Sequence, residues 1–184
     1  RRIARQTWSF FETLVTAGEQ WLPPDNFQEV PHPVVAGRTS PTNLGLALLA
    51  NLAARDFGYV SLRRLVQRTA DALESMERLE RHRGHFYNWY DTRSRQPLPP
   101  LYVSTVDSGN LAGHLLILEA GLRQLCDQPP YQAAVFAGLR DTLELARGSR
   151  PESDWRPLFA LLDAPPTTQT EAVLRLDQLR EQAA

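Results

Sequence analysis

The sequence contains no lysine, so all twenty of its basic residues are arginine. That bias reads as the codon habit of a GC-rich genome, and arginine also suits bidentate polar contacts. Twenty-one acidic residues offset the arginines and leave a formal net charge of −1. A chain so balanced is no general binder of nucleic acid or of anionic membrane surfaces. The single cysteine, Cys126, excludes an internal disulfide and favours a reducing compartment. Neither a signal-peptide pattern nor an apolar run of about 18 residues is present. Histidine offers little: His82 and His85 flank Arg83-Gly84, and neither His32 nor His114 completes a metal-ligand spacing. There is no phosphate-cradling glycine loop, no Gly-x-Ser-x-Gly elbow and no Cys/His nucleophile pattern. No metal and no cofactor are therefore expected. The chain opens on Arg1 rather than Met and is expected to be an excised piece of something larger.

What is present is a helical pattern. Apolar residues make up 42% and charged residues 22% of 184 residues, enough for one globular unit with a sizeable core. Seven helices are predicted, near 2–17, 40–57, 61–84, 107–127, 131–147, 153–163 and 168–182, with no confident strand. Ser40 followed by Pro41 is a strong helix start, and Gly58 is a stop. Ser61 is expected to cap the third helix and Asp107 the fourth. The second helix has no charge from Pro41 to Ala54 and is apolar all round, as is the fourth, which places both on the inside. The first and third are amphipathic. An outer, inner, outer, inner order predicts an all-α fold of antiparallel helical hairpins, part of an (α/α) barrel or toroid with long loops at one rim.

The two long loops, Gln20–Ser40 and Gly84–Val106, hold seven of the sixteen aromatic residues. Loops seldom carry so many rings unless a surface is being built. Rings mixed with Asp, Asn and Arg suit a ligand with apolar faces and hydroxyl edges, and a sugar is such a ligand. In an up-and-down arrangement both loops lie over the N-termini of the inner helices, where free N–H groups point outward. Asp25, Asn26 and Gln28 either meet sugar hydroxyls or bond their own backbone in turns. Asn43, in the first turn of an inner helix, looks toward the cavity, as do Ser108 and Asn110. Asn88, Trp89, Tyr90 and Asp91 form the strongest binding candidate, because rings beside amides and carboxylates stack on and hydrogen-bond a pyranose together. The alternative is that these rings anchor a long loop. Arg38 is expected to be structural, paired with Asp25, Glu29 or Asp91, and Ser40 and Asp107 are expected to be caps. A retaining glycosidase pair needs carboxyls about 5 Å apart. Asp25, Glu29, Asp91 and Asp107 could meet on this rim, so the residues alone leave such a pair open.

The runs WLPPDNFQE, RTSPTNLGL, LAARDFG, GHFYNWYDT and VSTVDSGNLAGHL resemble the middle region of bacterial cyclic β-1,2-glucan synthases. The resemblance covers about Arg1–Leu125. It implies a division into residues 1–128, the first half of a glycoside-hydrolase-like α/α barrel, and residues 129–184, a variable helical segment packing on it. It implies a parent enzyme of the inner membrane with a UDP-glucose-using glucosyltransferase module and a phosphorylase-like module. The middle module would bind linear β-1,2-glucan and cyclise it by transglycosylation, with the catalytic carboxylates beyond Ala184 and no catalytic residue among those of the rim. The fragment alone is then expected to be inactive, to use no cofactor and to sit on the cytoplasmic side. Its partners would be β-1,2-glucan, the remaining half of the barrel and the other modules, or a second copy through an exposed barrel edge. The alternative is a non-catalytic helical scaffold between the outer modules.

Overall fold

The start and stop residues of the sequence set most of the helix boundaries. The computed structural model describes residues 1–129, 131–148, 155–163 and 166–183. Among the described residues there are seven α-helices: α1 (Arg2–Leu14), α2 (Pro41–Asp56), α3 (Leu62–Glu77), α4 (Thr105–Cys126), α5 (Ala134–Arg147), α6 (Arg156–Leu162) and α7 (Gln169–Ala183). Ser40 caps α2 by accepting the Asn43 N–H at 3.3 Å, with Pro41 at the first helical position. Ser61 caps α3 through the Arg64 N–H at 3.2 Å. Gly58 takes φ +80° just after α2, a value that side chains disfavour.

Several boundaries differ from expectation by a few residues, and the physical cause is plain at two of them. Helix α3 stops at Glu77 rather than near Gly84. Arg81–His82 (β4) and His85–Phe86 (β5) instead form an antiparallel hairpin. Its turn residues, Arg83 and Gly84, both have positive φ, which is the geometry a two-residue hairpin requires. The apolar stripe that holds α3 to the core ends at Leu79, so nothing recruits the charged residues after it into the helix. Helix α4 is capped by Ser104, whose hydroxyl accepts the Asp107 N–H at 3.1 Å. Asp107 therefore lies inside the first turn, three residues after the cap.

Helix α2 is the centre of the packing and touches α1, α3 and α4. Leu44 and Leu48 of α2 join Leu22, Ala72, Met76, Leu79, Tyr90, Leu111 and Leu118 in the main core. Helices α2 and α4 approach closely because glycines face side chains across the interface. A Cβ at Gly45 would meet His114, and one at Gly121 would meet Leu52, each at 2.3 Å. On the other side of α2, Trp8, Ala54, Val60 and Leu65 form a second cluster. Buried Arg68 braces that side, donating to Asn51 Oδ1 at 3.1 Å and to the Phe11 carbonyl at 2.8 Å. The amphipathic helices α1 and α3 thus flank the apolar α2.

Helix α4 departs from the expectation of burial on every side. Only Leu111 and Leu118 of α4 are buried, while Val106, Leu116 and Ile117 are 70%, 69% and 55% exposed. One side of α4 packs on α2, and its opposite side is apolar but open. The last three helices do not cover those residues. They build their own cluster from Phe136, Leu158, Leu162, Ala172 and Leu179, and α5 docks on α1. Arg1 pairs with Asp141 at 2.8 Å, Arg5 donates to Thr142 at 2.9 Å, and Tyr59 donates to Asp141 at 3.0 Å. Burial, together with the Asp141 carboxylate, pushes the Tyr59 hydroxyl up to about 12.

The remaining regular structure is a 3-10 turn, Ala17–Glu19, and two more two-residue ladders. Phe27–Gln28 (β1) pairs with Val34–Val35 (β2), and Arg38–Thr39 (β3) pairs with Tyr90–Asp91 (β6). The β3–β6 ladder stitches the two long loops together. Ladders this short leave no alternating pattern in a sequence.

Candidate functional site at the helix N-termini

The loop-to-loop ladder sets the geometry of the rim. Arg38 lies opposite Asp91 and Thr39 opposite Tyr90. Behind the ladder, Glu19 of the 3-10 turn accepts from the Thr92 hydroxyl and pairs with Arg93 at 2.7 Å. Both loops are therefore fixed to each other over the first turns of α2 and α4. Each helix presents free N–H groups and a positive dipole end there.

Asp25 and Asp107 organise the polar groups. Asp25 accepts from Arg38 Nη2 and Asn26 Nδ2, each at 3.1 Å, and from Asn43 Nδ2 at 3.2 Å. The Arg38 guanidinium also lies 4.5 Å from the centroid of the Trp89 ring. Asn88 is buried, and its amide satisfies all its neighbours in one orientation. The oxygen then accepts from Trp89 Nε1 and the Tyr102 hydroxyl, both at 2.8 Å, and the nitrogen donates to Asp107 Oδ2 at 3.0 Å. Asp107 further accepts from Ser104 Oγ at 2.6 Å and Thr42 Oγ1 at 2.7 Å. Thr42 in turn accepts from Asn110 Nδ2 at 3.0 Å. Burial alone would push the Asp107 carboxyl up, but hydrogen bonds from Ser104, Thr42 and Ser40 outweigh it and hold it below the ordinary carboxylate range. Asp107 is thus a fixed anion joining the N-termini of α2 and α4.

The structure separates the candidates named from sequence. Asp25, Asn43, Asn88, Trp89, Asp107 and Asn110 converge on this network. Tyr90 does not face a ligand: it is fully buried, its hydroxyl donating to the Glu80 carbonyl and accepting the Tyr87 N–H, both at 2.7 Å. Burial pushes that hydroxyl up to about 12. Trp89 and Tyr90 are therefore not a ring pair on one surface: the Trp89 ring lies beside the Arg38 guanidinium at the rim, whereas the Tyr90 ring is in the core. Asp91 closes a turn, accepting from Ser94 N at 2.7 Å, Ser94 Oγ at 2.9 Å and Arg93 N at 3.1 Å. The Ser94 N–H is the main cause that lowers its carboxyl, against a smaller upward push from burial. Gln28 bonds locally to the Val30 carbonyl at 2.9 Å. Ser108 is half-buried in the first turn of α4, where its N–H bonds to the Ser104 carbonyl.

Three participants were not named as ligand-facing from sequence. Thr42 and Ser104 connect Asp107 to both helices, and Tyr102, 46% exposed, holds Asn88. Ser104 was legible in principle, because Ser-x-x-Asp is the spacing of a capping box. Tyr102 had no local signal, since its partner lies 14 positions earlier. Among the described residues, no group of three or more His, Cys, Asp or Glu side chains could hold a metal ion. No helix of the described residues is long and apolar enough to cross a membrane.

The core position of Tyr90 gives one stability prediction. Tyr90→Phe removes the hydroxyl that serves two backbone groups and is expected to cost about 1–3 kcal/mol. Chemical denaturation checks this, with an unchanged slope showing that the core survives.

Fold and rim together define a mostly helical module with its polar, ring-bearing loops gathered at one end. No family model matches the sequence. The chain is 49% identical over 129 residues to a cyclic β-(1,2)-glucan synthase, NdvB, of Rhizobium meliloti (strain 1021). The match covers 70% of this chain but only 5% of that relative. The chain is thus related to a short stretch of a cyclic β-1,2-glucan synthase.

Proposed function

We propose that the chain is a segment of a cyclic β-1,2-glucan synthase and that its rim forms part of the cleft that holds linear β-1,2-glucan for cyclisation by transglycosylation. The observation that carries this reading is the convergence of both loops on the α2 and α4 N-termini, in a chain related to such an enzyme. Trp89 and Tyr102 offer amphipathic rings, and Arg38 and Asn110 offer donors beside them. Such a surface matches a pyranose, whose C–H face stacks while its hydroxyls pair.

In this reading the rim orients substrate and does not attack it. Asp107 is held ionised by three hydroxyls, which makes it a poor general acid. Asp25 is committed to Arg38 and Asn43. Neither is free to serve in the carboxylate pair that a retaining mechanism needs, and the resemblance to the synthases implies a pair beyond Ala184. The open apolar side of α4 supports an (α/α) barrel of which α1–α4 are one part, because an apolar helix face of that kind is normally packed. UDP-glucose chemistry and the phosphorylase-like module belong to other parts of the parent enzyme.

Tryptophan emission tests the reading. Among the four tryptophans only Trp89 joins the rim network. Linear β-1,2-gluco-oligosaccharides at millimolar concentration are expected to change the emission saturably, and Trp89→Phe is expected to remove the change. Cello- and laminari-oligosaccharides should have little effect. A folded chain with no response to the β-1,2-linked sugar would overturn the assignment of the rim.

A further inference from the structure

A cleft of about 620 Å³ lies between α1 and the start of the first loop. None of its lining residues belongs to α2, α3 or α4. Gln6, Ser9, Phe10 and Thr13 form one wall, at spacings that place them along a single face of α1. Asn26 and Phe27 form the opposite wall, and Phe27 is 42% exposed. The Phe10 ring is held edge-on against Phe11, at 5.2 Å between centroids and 83° between planes, so it offers a fixed apolar surface. Asp25 lies between this cleft and the rim, fixed by Arg38 and Asn43.

The lining selects among ligand classes. It includes the carboxylates of Asp25 and Glu29 and no cationic side chain. A phosphate, a nucleotide or an acidic peptide would meet like charge there. A purely apolar ligand would strip water from Ser9, Thr13, Gln6 and Asn26 without replacing its hydrogen bonds. An uncharged polyol with one apolar face satisfies both walls, with its C–H face on the phenylalanines and its hydroxyls on Ser9, Thr13 and Asn26. The volume falls within the roughly 300–1,000 Å³ of small-molecule sites. We propose that this cleft is a second saccharide site, on the outer side of α1, that binds an uncharged pyranose unit. Its identity as a glucosyl residue of β-1,2-glucan rests on the function proposed above, whereas its preference for a neutral sugar rests on the lining alone. One glucan chain crossing Asp25 would touch both surfaces.

An amide-shift titration of the chain distinguishes the two sites. Linear β-1,2-gluco-oligosaccharides are expected to move the amides of Gln6, Ser9, Thr13, Asn26 and Phe27 saturably. Phe27→Ala, a change at an exposed position, is expected to weaken that binding about tenfold, equivalent to roughly 1.4 kcal/mol. Glucose 1-phosphate at the same concentration should move these amides less. The proposal is overturned if the α1 amides stay still in a well-dispersed spectrum, if Phe27→Ala leaves the affinity unchanged, or if the phosphorylated sugar binds more tightly. Amides of Asn88, Trp89 and Asn110 report the rim separately. Shifts on α1 without shifts there would sink the rim assignment and leave the cleft standing, and the reverse pattern would do the opposite.

Discussion

Asp107→Ala is expected to lower the unfolding free energy by about 2–4 kcal/mol, because it strands several donors at once. Ser104, Thr42 and Asn88 all donate to this carboxylate, and Asn110 joins through Thr42. Removing it also takes a negative charge from between two helix N-termini. Thr42 and Ser104 are only half-buried, but Asn88 is buried, so its amide carries most of the penalty. The pH dependence has a definite sign. The folded carboxyl sits below its ordinary value of 3.8, so its contribution is fully present above that value and fades as pH falls through the folded one. The gap between the wild type and Asp107→Ala should therefore narrow below about pH 4, while the part due to the stranded Asn88 amide persists. Denaturant titrations at pH 7 and pH 3 measure both effects, and a constant gap between the proteins would contradict this role for the carboxylate.

Gly58→Ala is expected to cost at least about 3 kcal/mol, from backbone strain together with a backbone collision. At Gly58 φ is +80°, and an added Cβ would lie 1.9 Å from the Ala134 carbonyl oxygen at the start of α5. Gly138 faces the same turn, with its own Cβ position 2.3 Å from the Gly58 carbonyl oxygen. Neither neighbour is a flexible side chain, so α5 must move as a body. The C-terminal cluster around Phe136 should then part from α1 while the α2–α3–α4 core remains. Hydrogen exchange would show this as lost protection in α5 with α2 and α3 still protected. Gly84→Ala is the control, because φ is +87° there but nothing lies within 4 Å of an added Cβ. It should cost only about 1 kcal/mol.

These two positions show what the sequence makes legible. Gly58 and Ser40-Pro41 act through local backbone chemistry, so both boundaries of α2 could be read directly. The absence of charge from Pro41 to Ala54 likewise marked α2 as the central helix. The same criterion misjudged α4. An apolar composition records what a helix can bury, not what this chain supplies to cover it, and Leu116 and Ile117 stay exposed. The end of α3 was missed because a charged run such as Glu77–Arg83 suits an exposed helix as well as a hairpin. The Arg83-Gly84 turn decides between them.

The rim was legible in part, for a related reason. Residue types marked the two loops as a surface, and Arg38 was expected to pair with one of three carboxylates, of which Asp25 is the partner observed. Which side of each loop faces outward depends on pairing between segments about 50 residues apart, which composition does not encode. Tyr90 was therefore grouped with Trp89, although the ladder sends it into the core. The face of α1 formed by Gln6, Ser9, Phe10 and Thr13 becomes a site only against the opposing turn at Asn26 and Phe27, which the sequence of the helix does not encode.

The most direct test of the account is made in a full-length synthase that carries this segment. Trp89→Ala and Asn110→Ala alter the rim without touching the buried core or Asp107 itself. Elongation of linear β-1,2-glucan from UDP-glucose and release of cyclic product are measured side by side. The account predicts normal elongation with cyclic product reduced about tenfold or more, as the loss of a positioning contact implies, while linear chains accumulate. Unchanged cyclisation in both variants, at normal protein levels, would contradict it and leave the loops as structural connections.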